Sequence, residues 1–387
     1  MNELIVRIAA RGDGMTASGR HVPFGVPGDA VLDAGALACG AHHQPPPWRP
    51  FPDCGGCPLQ HADDAAYRAF LVSRVETALA QHGLETEIRE PYLSPPHSRR
   101  RATLKALKLG AGAVAGFNAE KSHQIVDMHE CHILRPELFA LVQPLRDLFA
   151  RLLQPRRGGE AQLALVDQGV DLLLRNVRAD DLAAIEALTD FAGQHGLARL
   201  SVDSGEGPET IYEPIPATVT LSGAPVAFPV GGFLQATEDG EAALVESVRE
   251  CVSGPVADLF AGLGTFALAT RAAYSAEASR DAAAALKQAA PAITVEHRDL
   301  YRRPLDRTEL DPFETVILDP PRAGANEQVR QLSASAVGKL AYVSCNPATF
   351  ARDARTLADG GYRLSWVRPV GQFRWSTHVE LAACFTR

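Results

Sequence analysis

Pro255-Val-Ala-Asp-Leu-Phe-Ala-Gly-Leu-Gly-Thr265 decides the fold. An apolar run enters a Gly-x-Gly turn and continues into a helical pattern, the sequence form of a strand, a phosphate- or ligand-approaching loop and a helix. Downstream the alternation repeats: Glu277 stands where a second strand ends, Thr315 to Leu318 forms another apolar run ending at Asp319-Pro-Pro-Arg322, and Leu340 to Ser344 leads into Cys345-Asn-Pro347. Alternating β and α segments of this kind predict an α/β domain with a parallel, doubly wound, Rossmann-like sheet, whose ligands sit beyond the carboxyl ends of the strands.

The turn has no third glycine at dinucleotide spacing, which favours a methyl-donor site for S-adenosylmethionine over one for NAD. Glu277 suits the ribose hydroxyls, although its spacing from Phe260 is short; a purely structural turn is the alternative. The two prolines after Asp319 fix an extended exit from the sheet and hold the carboxylate at its edge. Cys345 precedes Asn346, a plausible N-cap, and Pro347, a favoured first helical residue, so the thiol is expected to gain thiolate character from the helix N-terminus. An isolated cysteine is more often a packing residue, and the neighbouring Asp-Pro-Pro and Asn-Pro turns favour the reactive reading here.

The rest of the chain is less regular. Residues 1–40 carry glycine-punctuated turns between short Val/Ile runs and read as a short β leader. Residues 41–229 contain the Pro/His-rich connection Ala41 to Pro52, Cys54-Gly-Gly-Cys57, a helical pattern over 59–83 that is free to pack on the catalytic domain, and an α+β mixture; residues 230–387 form the doubly wound domain. Lys+Arg 38 against Asp+Glu 46 gives a net charge of −8, which excludes a uniformly basic nucleic-acid coat but not a local basic groove. No stretch approaches the ~18 apolar residues of a membrane span, and the apolar run Leu4-Ile5-Val6 is too short for a signal peptide, so a cytoplasmic monomer is expected. Seven cysteines without an export signal point to metal binding or catalysis rather than a disulfide framework; Cys251 and Cys384 read as packing residues.

From Cys54 to Arg387 the sequence resembles the bacterial RNA uracil-5-methyltransferases, the S-adenosylmethionine-dependent enzymes of 23S ribosomal RNA and tRNA. Cys54-Gly-Gly-Cys57, Lys121-Ser-His-Gln-Ile-Val-Asp127, Cys131, Gly232-Phe-Leu-Gln235, Asp258 to Gly264, Asp319-Pro-Pro-Arg322, Ser344-Cys-Asn-Pro347 and His378-Val-Glu380 carry the resemblance. It implies a class I methyltransferase domain with the methyl donor held by Gln235, Phe260, Gly262, Gly264, Glu277, Asp299 and Asp319, Cys345 as nucleophile and Glu380 as base. The leader would be a truncated form of the family's OB/TRAM-like barrel. The chemistry agrees with these residue types: a thiolate added at C6 turns C5 of uracil into a nucleophile, and a carboxylate must later remove the C5 proton. The target base must be unstacked to be reached. The implied activity is formation of 5-methyluridine in RNA, with 23S rRNA favoured because part of the cysteine set is present; tRNA uridine, RNA cytosine-5 methylation and a non-catalytic RNA-binding or assembly role are the alternatives.

The resemblance also implies a 4Fe-4S cluster on Cys54, Cys57 and Cys131, although Cys-x-x-Cys alone suits zinc equally. The family's further cysteine, six residues before Cys-Gly-Gly-Cys, is replaced by Trp48, leaving Cys39 as the candidate fourth ligand. His42, His43 and His61 read as loop residues. Arg99, Arg100, Arg101 and Lys105 form the densest basic run and are expected to contact RNA phosphates, a solvated surface being the alternative.

Overall fold

The computed structural model describes residues 3–32, 36–49, 51–120 and 122–387, so Lys121 of the quoted motif lies outside the described residues. The leader folds around Glu3–Ile8 as a five-stranded antiparallel sheet, in the order His21–Val22, Gly14–Thr16, Glu3–Ile8, Ala30–Val31, Leu37–Ala38. Its core is Ile5, Val22 and Val31 with Leu37. The buried Asp29 carboxylate accepts from the backbone N–H of Val26 and of Gly40 and pairs with His43 at 2.8 Å, tying the leader to the Pro/His-rich connection. His61, expected in a loop, is instead buried against the rings of His43, Phe24 and Phe51, and burial lowers its pKa to about 4.

The helix expected over 59–83 begins at Asp64 and ends at Ala80, because Asp63 caps it by accepting from Ala66 N–H. Its buried face, Tyr67, Phe70, Leu71, Val75 and Leu79, packs against the helix Pro347–Asp359, and the Tyr67 hydroxyl donates to the carbonyls of Phe373 and Ser376. The short strands Glu87–Ile88 and Tyr92–Leu93 then join the edge of the catalytic sheet by pairing with Arg363–Gly371. This segment therefore packs on the doubly wound domain although it lies well before residue 230, where the sequence reading starts that domain.

A six-stranded sheet forms the middle of the chain, in the order Pro208–Tyr212, Arg199–Asp203, Gly169–Arg175, Gly158–Val166, Arg101–Leu109, Gly112–Gly116. All its pairings are antiparallel except Gly169–Arg175 with Arg199–Asp203. Two helices, Pro136–Phe139 and Val142–Leu152, follow in the same region.

The catalytic sheet runs Thr294–His297, Tyr274–Glu277, Val256–Leu259, Thr315–Leu318, Lys339–Ser344, Glu380–Thr386, Arg363–Gly371, Glu87–Ile88. The first five are parallel, and Glu380–Thr386 is inserted antiparallel between its neighbours. Val256–Leu259 and Thr315–Leu318 are buried at every residue, as strands covered on both faces must be. Strand order reverses between these two, so the ligand crevice of this Rossmann-like fold opens at their carboxyl ends. Cys251 and Cys384, read from sequence as separate packing residues, form a disulfide between the end of the helix Glu238–Cys251 and the strand Glu380–Thr386.

Gly116 shows how tightly the middle sheet holds the crevice wall. The chain from Val126 to Met128 runs back along 115–117, with Val126 N–H bonded to the Phe117 carbonyl and Met128 N–H to that of Ala115. A Cβ at Gly116 would lie 2.0 Å from the Val126 carbonyl oxygen, a backbone atom with no freedom to yield. Gly116→Ala is expected to cost about 1–3 kcal/mol through overpacking, read as a lowered thermal midpoint.

Candidate active site

The glycine turn is built by backbone constraints. Phe260, Gly262 and Gly264 all have positive φ, at 64°, 54° and 90°. At Gly264 a Cβ would also meet Leu286 at 2.3 Å, so close packing of the next helix adds to the conformational demand for glycine. Glu277 closes the turn from the neighbouring strand: one carboxylate oxygen accepts from Gly262 N–H at 2.8 Å and the other from Ser279 N–H at 2.6 Å. Beside it the Phe260 and Tyr301 rings lie 5.6 Å apart, and the Tyr301 hydroxyl donates to the Gly324 carbonyl. Tyr301 was not singled out from sequence; its place two residues after Asp299 is the only signal that pointed to it.

The second half of the site comes from strand register. Ser344 pairs with Leu381 across two antiparallel strands, so one step further Cys345 stands opposite Glu380. The Cys345 loop is fixed by Asn346, whose side chain accepts from Ala348 N–H to cap the helix Pro347–Asp359 and donates to the Arg322 carbonyl. Thr349 donates to the same carbonyl, joining the Asp319-Pro-Pro-Arg322 exit to the Cys345 turn. Asp319 N–H reaches back to the Leu259 carbonyl, so the two central strand ends are linked.

Gln235, Phe260, Gly262, Glu277, Asp299, Asp319, Cys345 and Glu380 border one cavity of about 1030 Å³; Gly264, the N-cap of the helix Thr265–Thr270, does not line it. The basic run divides. Arg101 borders the cavity, its guanidinium 4.5 Å over the ring of Phe233, which is itself 60% exposed. Arg99 borders it too, between the rings of Phe117 and Phe373. Arg100 corrects the RNA-contact expectation: it is buried, donating to Glu241 at 2.7 Å and to the Gln235 carbonyl. Lys105, on the same strand face as Arg101, does not border the cavity and pairs with Glu160 on the adjacent strand.

Acidic groups dominate the electrostatics. Burial raises the Asp319 pKa to about 7, with Glu277 adding repulsion, and burial with Asp319 raises Glu380 to about 8 against the opposing effects of Arg101 and a Gln372 hydrogen bond. Asp258, wholly buried beneath the turn, is pushed well above the ordinary carboxyl value. The expected thiolate character of Cys345 is overturned: burial, Glu380 and Asp319 push the thiol up to about 11, and the helix N-terminus does not offset them. Gln372, absent from every quoted motif, contacts both halves of the site; no pattern in the sequence pointed to it.

Cys54, Cys57 and Cys131 are buried in the same core as Trp48, and burial raises all three thiols. Cys39 is exposed. Among the described residues no three or more His, Cys, Asp or Glu side chains are grouped to hold a metal ion. These residues do not fit a four-thiolate cluster: Trp48 fills the core where the additional cysteine would stand, and Cys39 does not replace it. Gly55 and Gly56 border the cavity, with Gly55 N–H bonded to the Asn118 carbonyl, so the segment acts as wall. Among the described residues no helix is long and apolar enough to cross a membrane.

Residues 280–387 match the family model of tRNA (uracil-5-)-methyltransferases. The chain is 50% identical to an uncharacterized RNA methyltransferase of Zymomonas mobilis over 99% of both chains. It is 30% identical to the 23S rRNA (uracil(1939)-C(5))-methyltransferase of Pectobacterium atrosepticum, covering 88% of this chain and 79% of that one. Its fold superposes with a TM-score of 0.76 on the tRNA (uracil-54, C5)-methyltransferase of Pyrococcus abyssi, solved with S-adenosyl-L-homocysteine, over 100% of this chain and 99% of the other at 23% identity. With its Rossmann-like sheet, its glycine turn and a cysteine and a glutamate facing each other at the crevice, this chain belongs to the RNA uracil-5-methyltransferase family.

Proposed function

We propose that the protein methylates C5 of a uridine in 23S rRNA with S-adenosylmethionine as donor, through a covalent bond between Cys345 Sγ and C6 and proton removal from C5 by Glu380. The observation that carries this is the strand register that sets Cys345 opposite Glu380 at the mouth of the glycine-turn crevice. The 23S assignment is supported by the Pectobacterium relative's named substrate.

Phe260, Gly262, Glu277 and Asp299 form the donor side of the cavity, and S-adenosylmethionine held there supplies an electrophilic methyl group. Glu277 carries out two tasks at once, since its oxygens already shape the turn through Gly262 and Ser279 and retain lone pairs for ribose hydroxyls. On the base side, addition of Cys345 to C6 requires loss of the thiol proton. Asp319, at about 7, is the carboxylate ready to accept it near neutral pH. Once Asp319 is neutral, the repulsion that raises Glu380 disappears while the attraction of Arg101 remains, so the Glu380 pKa falls and its carboxyl gives up its proton, leaving an ionised carboxylate to take the C5 proton. Expulsion of the thiolate restores the base's double bond and frees the product. Arg101 and Phe233 at the rim offer charge and an aromatic face to an unstacked nucleotide.

Mass spectrometry of ribosomal and transfer RNA from a deletion strain is expected to show loss of one 5-methyluridine from 23S rRNA, restored by the wild-type gene and not by Cys345→Ala. Loss from tRNA alone would move the substrate assignment. RNA carrying 5-fluorouridine at that site should trap wild-type protein covalently and leave Cys345→Ala free. Glu277→Ala is expected to weaken S-adenosylmethionine binding by about 1–3 kcal/mol in calorimetry, since the turn and the ribose both lose an acceptor. The raised Glu380 pKa also makes a stability statement. Its contribution is fully present below the ordinary value of 4.5 and is lost as pH rises through about 8. Glu380→Gln should therefore flatten the fall in melting temperature between about pH 5 and pH 9 and be the more stable protein at the upper end.

A further inference from the structure

The strand Arg101–Leu109 begins at the cavity and ends far from it. Arg101 borders the cavity, and the residues that share its face stay open to the far end: Thr103 and Leu109 are exposed, Lys105 and Leu107 half-buried, while Ala102, Leu104 and Ala106 on the other face are buried. At that far end the strand meets the connection between the helix Val142–Leu152 and the strand Gly158–Val166. Lys108 N–H donates to the Arg157 carbonyl and Arg156 N–H to the Lys108 carbonyl, both at 3.2 Å, so Lys108, Arg156 and Arg157 form one cluster. Arg156 and Arg157 are exposed, and among the described residues none of the three cations is in an ion pair.

Two features separate this cluster from ordinary solvated charge. The chain carries 46 acidic against 38 basic residues, yet neither segment that meets here, 91–119 or 148–159, contains an Asp or a Glu, and the adjacent Glu160 is already held by Lys105. The positive field at this tip is therefore uncompensated. Arg156 also has a φ of 61°, a left-handed conformation that glycine adopts without strain. The turn thus keeps a cation where glycine would suit its backbone better, and the end of the preceding helix does not need it, since Arg151 already stands in that helix's last turn.

We propose that Lys108, Arg156 and Arg157 form a second RNA-docking surface, remote from the crevice, which grips the phosphate backbone of the substrate strand that leaves the cavity along the open face of Arg101–Leu109. Seven steps of ~3.3 Å along the strand separate Arg101 from Lys108, about 23 Å, a span that an RNA strand covers in roughly seven nucleotides at ~3.4 Å per phosphate. Such a surface reads charge and not base identity. It rests on the RNA-methylating reading above and deepens it by naming where the RNA that flanks the target is held.

The test uses the full-length protein and two RNAs centred on the mapped uridine, a short one that ends about three nucleotides from it on each side and a long one that extends about fifteen. Arg156→Gly/Arg157→Gln removes two charges and relaxes the backbone at 156, so its melting temperature should stay within about 2 °C of wild type. With the long RNA near 0.1 M salt its affinity should fall at least about tenfold, and the slope of log Kd against log salt should flatten by about 1.4–1.8, the loss of two phosphate contacts. With the short RNA, affinity and kcat should stay within about twofold of wild type, as should S-adenosylmethionine binding. Arg156→Lys/Arg157→Lys keeps both charges and should bind the long RNA within about threefold of wild type. Lys287→Gln/Arg363→Gln removes the same charge from exposed positions elsewhere and should leave that affinity within about twofold. A loss that is equal for the two RNAs, an unchanged salt slope, or an equal loss in the Lys287/Arg363 variant overturns the inference. A wild-type protein that methylates the uridine but binds both RNAs alike overturns it alone; one that binds and methylates neither RNA overturns it together with the function it rests on.

Discussion

Crowding of carboxyl groups at the carboxyl ends of a buried parallel sheet is the constraint on which the rest of the site depends. Asp258, Glu277, Asp319 and Glu380 come from four strands that meet where the strand order reverses, and a sheet covered on both faces leaves little water to solvate them. Each raises or is raised by another: Asp319 acts on Asp258 and on Glu380, and Glu277 acts on Asp258 and Asp319. The fold answers with backbone N–H groups for Glu277 and with a single guanidinium, Arg101, for Glu380. Asp319, at about 7, and Glu380, at about 8, therefore change protonation near neutral pH, the condition the proposed mechanism needs if one carboxyl is to accept a proton and the other later to remove one.

The same constraint explains why the thiol is not activated by its place in the chain. A cysteine just before a helix N-terminus is usually favoured as thiolate, yet here burial and two nearby carboxyls act against the charged form and win. Activation then has to come from proton transfer at the moment a base is bound. On the proposed mechanism a quiescent Cys345 thiol suits its place at a large cavity, since a standing thiolate there would be exposed to oxidation between turnovers.

The elements around Pro255 to Thr265 were legible because parallel buried strands are short apolar runs with punctuated exits, and Asp319, Cys345 and Glu277 stand at those exits. What remained hidden depends on partners far apart in sequence. Nothing near Arg100 distinguishes it from Arg99 and Arg101, yet Glu241 and the Gln235 carbonyl take it out of solvent. Gln372 matters only because Ala236 and Gln235, more than a hundred residues earlier, lie beside it. Cys251 and Cys384 carry no local motif, and their pairing follows from a helix packing across an antiparallel strand.

Trp48 brings the N-terminal third into the same account. Trp48, Cys54, Cys57 and Cys131 are buried in one hydrophobic core, and burial holds each of the three thiols toward its neutral form. Their segment still has a task that needs no metal: Gly55 N–H bonds to Asn118, Cys54 bridges to Ala119, and Phe117, Asn118 and Ala119 form one side of the cavity. Arg99 lies in the field of all three sulfurs and packs on Phe117 and Phe373, so that core also positions a cation at the rim. Trp48 is itself buried in that core, and the cavity wall beside Gly55 and Asn118 is held by packing and backbone hydrogen bonds.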